Sequence, residues 1–132
     1  MITGNMEYTA KTVAGQDLSG DVGRVVQKIS TLDGLETVQR ATDGTTAGAQ
    51  ELVGFVQLGG TSGQLCTIVR GGVINWARAG AAIGPGVVEL TCDGTGRLIA
   101  AAAGDQVVAR YQGSGTAAAG DEITVHVCFY RI

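Results

Sequence analysis

The sequence offers few side chains suited to chemistry: one histidine, three cysteines and twelve acids in 132 residues. His126 could serve as a base or a metal ligand only if the fold brought acid, cysteine or nucleophile partners to it, and nothing in its spacing arranges that. As a polar-phase residue of a strand-like run, it reads as a surface side chain. Cys66, Cys92 and Cys128 are odd in number, widely spaced and without a Cys-x-x-Cys pair, which argues against a disulfide framework or a zinc knuckle. Each sits in an apolar, β-branched run and reads as a reduced core residue. Glu89 and Glu122 fall near strands, but the carboxylate separation that glycoside chemistry needs cannot be read from their spacing. Gly113-Ser114-Gly115-Thr116-Ala117-Ala118 matches the Gly-x-Gly-x-x-Gly/Ala dinucleotide pattern after a strand-like run. That pattern needs a helix to follow, whereas Gly120-Asp121 and another strand-like run follow instead. No catalytic set, no cofactor site and no metal site is expected, and the chain is not read as an enzyme.

Most acids have a simpler explanation. Six of the seven aspartates touch a glycine, as in Gly20-Asp21, Asp93-Gly94, Gly104-Asp105 and Gly120-Asp121. Asp-Gly supplies the turn chemistry that hairpins use. Trp76, the sole tryptophan, stands with Arg78 at the end of a strand-like run. It is either a core plug or, with Arg78, a binding anchor of the kind enriched at interfaces.

The elements that would position these residues are strands. Glycine punctuates the chain so densely that the longest glycine-free stretch begins only at Asp121, which disfavours long helices. Between the glycines lie β-branched runs, expected as strands at 22–29, 52–58, 65–70, 73–76, 87–91, 97–101, 107–111 and 122–130. In the last, Ile123, Val125, Val127 and Phe129 alternate with Thr124, His126, Cys128 and Tyr130, the period of two that turns one set inward. The runs near 53 and 67 echo those near 108 and 124 as two similar hairpins of one barrel rather than a repeat array. The expected fold is mainly β, a single compact small barrel or sandwich of about eight short strands with little helix.

At 45% apolar and 16% charged, the chain is one domain that is poor in surface charge, which suggests that part of its outside is covered by copies of itself or by a partner. The basic residues are scattered singly against a net charge of −3, so no nucleic-acid contact is expected. No apolar run approaches the roughly 20 residues of a membrane helix. The first residues lack a signal-peptide pattern, so the chain is expected to be made and kept in a cytosol, or exported only as part of a larger assembly. Residues 1–17 are polar with little alternation, and an N-terminal arm over 1–17 before a β-rich domain over 18–132 is the expected organisation.

Taken in order, Gly20-Asp21-Val22-Gly23-Arg24, Leu52-Val53-Gly54-Phe55-Val56, Gln64-Leu65-Cys66-Thr67-Ile68-Val69, Ile83-Gly84-Pro85-Gly86-Val87, Asp93-Gly94-Thr95-Gly96-Arg97, Gly104-Asp105-Gln106-Val107 and Gly120-Asp121-Glu122-Ile123 resemble the small β-rich capsid-cement, or head-decoration, proteins of bacteriophages. The resemblance lies in the order and spacing of turns and strands over residues 17–132. It implies a structural virion protein made in the host cytoplasm that sits on the exterior of an icosahedral head, commonly as a trimer, and clamps neighbouring major capsid protein subunits. Under that reading Tyr8, Lys11 and Val13 are candidate capsid contacts of the arm, and Trp76, Arg78 and Tyr130 are candidate subunit contacts. The competing expectation is a carbohydrate-binding or adhesion module on a particle surface, with Trp76, Tyr111 and Tyr130 as stacking faces.

Overall fold

A computed structural model describes residues 6–8, 12–32, 35–42 and 51–131. Among them there is no helix. Ten strands form one hydrogen-bonded sheet system: β1 (Met6–Tyr8), β2 (Thr12–Ala14), β3 (Val25–Leu32), β4 (Leu35–Arg40), β5 (Leu52–Leu58), β6 (Leu65–Arg78), β7 (Gly86–Cys92), β8 (Leu98–Ala100), β9 (Gln106–Gly113) and β10 (Glu122–Arg131). The mainly β expectation therefore holds.

The strand order β2-β4-β3-β5-β6 closes on itself because β2 also pairs with β6, which makes a five-stranded barrel. From β6 the sheet continues outward through β10, β9, β7 and β8, and Leu98 of β8 returns to bridge Ala79 just past the end of β6. Strand β6 is the member common to both halves. Its first residues form barrel wall, and from Gly72 to Arg78 it pairs with β10.

Two cores follow from the strand period of two. Val26, Val38, Val56, Cys66 and Ile68 fill the barrel, while Val25, Phe55 and Val69 point the other way, into a larger core shared with Ile74, Leu90, Leu98, Val108 and Val125. Val25-Val26 of β3, Leu52 to Val56 of β5 and Ile68-Val69 of β6 are thus buried on both faces, which is why these segments read as unbroken apolar runs instead of alternating. Val25, Phe55 and Val69 are direct cross-strand neighbours, so the larger core is braced by one row of side chains across three strands.

Two expected strands, 65–70 and 73–76, are one. Gly71 and Gly72 lie inside β6, and Gly72 takes a φ of 84°, a left-handed conformation that costs other residues roughly 1–2 kcal/mol. The strand changes its buried face there, from Val69 to Ile74, as it passes from the barrel to the outer sheet. The two hairpins expected within one barrel are both present, but only β5–β6 belongs to the barrel, and β9–β10 lies in the outer sheet.

The segment expected as an arm is built into the sheet where it is described. β1 pairs antiparallel with β6 across the glycine bend, and β2 runs parallel to β4 as a barrel strand with Thr12 and Ala14 buried. Three residues are too few to display alternation, but Ala14 fills the barrel, which a free arm would leave open.

Candidate functional site

The aspartates are mostly what their glycine neighbours imply. Asp93 accepts hydrogen bonds from the Thr95 amide at 2.8 Å and the Arg97 amide at 3.1 Å, Asp105 from Ala102, and Asp121 from Ala118. Asp33 and Asp43 lie outside the described residues. Asp21 departs from the pattern: buried, it accepts two hydrogen bonds from Arg40, at 2.8 and 3.0 Å, across nineteen residues of chain. Asp17 is held below the usual carboxylate range by the Ser19 hydroxyl and amide that donate to it.

On the open face of the outer sheet, Glu89, Arg110, His126 and Val73 stand opposite one another on β7, β9, β10 and β6, one row across four strands. Tyr130 donates its hydroxyl to Glu89. The Glu89 carboxylate holds the Tyr130 phenol above its ordinary range, and the Tyr130 side chain raises Arg110 further. Beside this row the β9–β10 loop borders an open groove of about 600 Å³ lined by Arg110, Gln112, Ser114, Thr116, Thr124 and His126 among others. The Gly113–Ala118 pattern is part of that loop, with Tyr111 donating to the Gly115 carbonyl at 2.8 Å, and no helix begins there. The groove offers hydrogen bonds. His126 is exposed, and no group of three or more metal-binding side chains forms among the described residues.

The predicted site residues are distributed over the molecule. Tyr8 belongs to β1, Lys11 lies outside the described residues, and Val13 is half-buried in β2 opposite Thr37 and Leu65. Trp76 is half-buried against the larger core. Arg78 pairs with Glu122 at 3.6 Å, at the start of β10, whereas Tyr130 is eight residues farther along that strand, about 26 Å away at the usual rise. Trp76 and Arg78 therefore share one end of the outer sheet, and Tyr130 stands at the other. Cys92 is fully buried and Cys66 nearly so, while Cys128, expected in the core, is only half-buried because it lies on the phase of β10 opposite the inward-facing Ile123, Val125 and Val127. Burial pushes both the Cys66 and Cys128 thiols up.

Residues that the sequence leaves scattered come together at the end of the molecule near Arg78. The turn before β3, the end of β6, the turn before β8 and the β9–β10 turn enclose a cleft of about 250 Å³ lined by Gly20, Val22, Arg24, Arg78, Arg97 and Gly120. Arg24 and Arg97 each follow a positive-φ glycine, Gly23 and Gly96, which is the one local signal they carry. A Cβ at Gly23 would collide with the Trp76 carbonyl, so only glycine lets that turn lie against β6.

Comparison with protein-family models and with curated proteins gives no match for this chain.

Proposed function

We propose that the chain is a structural protein of a phage virion: a decoration, or cement, protein that binds the outer surface of an icosahedral head as a homotrimer and bridges neighbouring major capsid protein subunits. The observation that carries this reading is a pair of separated apolar exposures on one tightly braced β body. Leu58 and Leu65 stand 65% and 69% exposed at the β5–β6 end of the barrel, and Val73 and Val87 are exposed on the outer sheet. A bridging protein needs two contact surfaces on one unyielding element, and β6 carries Leu65 of the first surface and Val73 of the second. They lie eight residues apart, at most about 26 Å along the strand. Many copies, each making two weak contacts, hold a shell by multivalency.

The test is binding of the purified chain to heads of the encoding phage assembled without it. The whole protein is expected to elute at three times the 13.4 kDa chain mass and to raise the temperature at which the heads open. Leu58→Ser with Leu65→Ser is expected to remove binding while leaving the fold intact. A folded wild-type chain that neither binds the heads nor shifts their opening temperature would overturn the proposal. A truncation that probes the arm has to spare Thr12, because β2 is barrel wall.

The polar groove beside His126 favours one other reading, a carbohydrate-binding or adhesion module. Saturable binding on a glycan array, lost in Gln112→Ala, with no binding to heads would establish it instead.

A further inference from the structure

We infer that the cleft lined by Arg24, Arg78 and Arg97 is a binding site for a single carboxylate, presented by an acidic side chain of the partner protein. This deepens the decoration reading and rests on it for the partner's identity, while the carboxylate chemistry stands on the cleft alone. Three arginines, from positions 24, 78 and 97, line one space in a chain whose net charge is −3. Elsewhere, Arg40 grips Asp21 with two bonds and Arg70 bonds Glu36. In the cleft the ionic contacts are long or absent. Arg24 lies 3.9 Å from an Asp21 already held by Arg40, and Arg78 lies 3.6 Å from an exposed Glu122. No ion pair within 4 Å is formed by Arg97 among the described residues.

What the three do have is positioning. Arg24 donates to the Thr95 carbonyl at 3.0 Å, Arg97 to the Thr95 hydroxyl at 3.2 Å, and Arg78 to the Gly120 carbonyl at 3.3 Å. Each guanidinium carries five N–H donors, and these bonds engage a minority of them while fixing where the rest lie. Planar guanidinium groups match a carboxylate in bidentate geometry. The nearby Asp21 and Glu122 offset part of the positive charge, which disfavours a dianion or a polyanion and leaves room for one negative charge. Val22, 37% exposed, gives the rim an apolar contact suited to a peptide rather than a free ion.

The experiment follows the arginine Nε–H and backbone amide signals of the whole protein by NMR at low ionic strength. The added probes are acetyl-Gly-Glu-Gly-amide, its glutamine counterpart, and inorganic phosphate. Saturable shifts confined to Arg24, Arg78, Arg97, Gly20 and Gly120 are expected with the glutamate peptide and not with the other two. Arg97→Gln is expected to weaken that binding about tenfold or more, the loss of one charge-assisted contact. Gly20→Asp supplies a carboxylate from within. A side chain at Gly20 meets no neighbour within 4 Å, so this variant is expected to fold normally and block the peptide. Absence of saturable shifts, equal response to the glutamine peptide, stronger response to phosphate, or unchanged binding in folded Gly20→Asp would each overturn the inference. None of these outcomes depends on whether the chain binds phage heads.

Discussion

Phe55→Ala is the sharpest test of the two-core architecture. The ring is fully buried in the larger core, with Val25 and Val69 directly across from it on β3 and β6. Truncating such a ring costs about 3–5 kcal/mol, the transfer free energy of the lost carbons plus the cavity left behind. That is a large part of the roughly 5–15 kcal/mol that holds a domain folded. With a urea slope of about 2 kcal/mol per molar, a 4 kcal/mol loss moves the unfolding midpoint down by about 2 M. The measurement is equilibrium urea unfolding, repeated as double-mutant cycles. Val69→Ala, in contact across the sheet, is expected to couple to Phe55→Ala by at least about 0.5 kcal/mol, and Val38→Ala, inside the barrel, to add independently. A loss below about 1.5 kcal/mol, or stronger coupling to Val38 than to Val69, would show that the strands do not divide their side chains between two cores in this way.

Three further outcomes are expected. Gly72→Ala should lower stability by about 1–2 kcal/mol in the same unfolding assay and Gly72→Asn by less, because asparagine tolerates the left-handed conformation that alanine resists. Thr91→Val should raise the melting temperature: the Thr91 hydroxyl is buried with no hydrogen-bond partner, and a methyl of the same shape removes that unmet group. Tyr130 should ionise above the ordinary tyrosine value of 10.0 in an NMR pH titration, and Glu89→Gln should bring it down by removing the carboxylate that holds the phenol protonated. Because the folded value is the higher one, the stabilisation from this contact is complete below the unfolded tyrosine range and is lost as pH rises through the folded value.

Much of the fold is written locally. The alternation from Ile123 to Val127 gives both the strand and its buried face, and the apolar stretches at 52–56 and 68–69 announce strand segments covered on two sides. Asp93, Asp105 and Asp121 hold turns as their glycine neighbours indicate. Strand β4 escapes notice because only Val38 along Leu35–Arg40 is fully buried, so its polar residues carry no periodic signal. β1 and β2 are too short to show a period at all. Gly71-Gly72 looks like a break between strands because the pairing with β1 and β10 that carries the chain through it comes from distant segments. The arginine cleft is invisible for the same reason. Arg24, Arg78 and Arg97 are isolated cations until the turns bearing them dock, and the Asp21–Arg40 pair closes over a separation that no local pattern encodes.

Strand β6 gives the molecule a mechanical axis. Ladder hydrogen bonds lie across the strands, so tension applied along β6 loads its pairings with β5, β2, β1 and β10 side by side in shear instead of peeling them one at a time. A pull between the Leu65 end and the Arg78 end passes through a continuous backbone that β2, β5 and β1 hold as far as Gly72 and β10 holds from there to Arg78. The protein is built as a tie rod, stiffest along the line that joins its two exposed apolar surfaces.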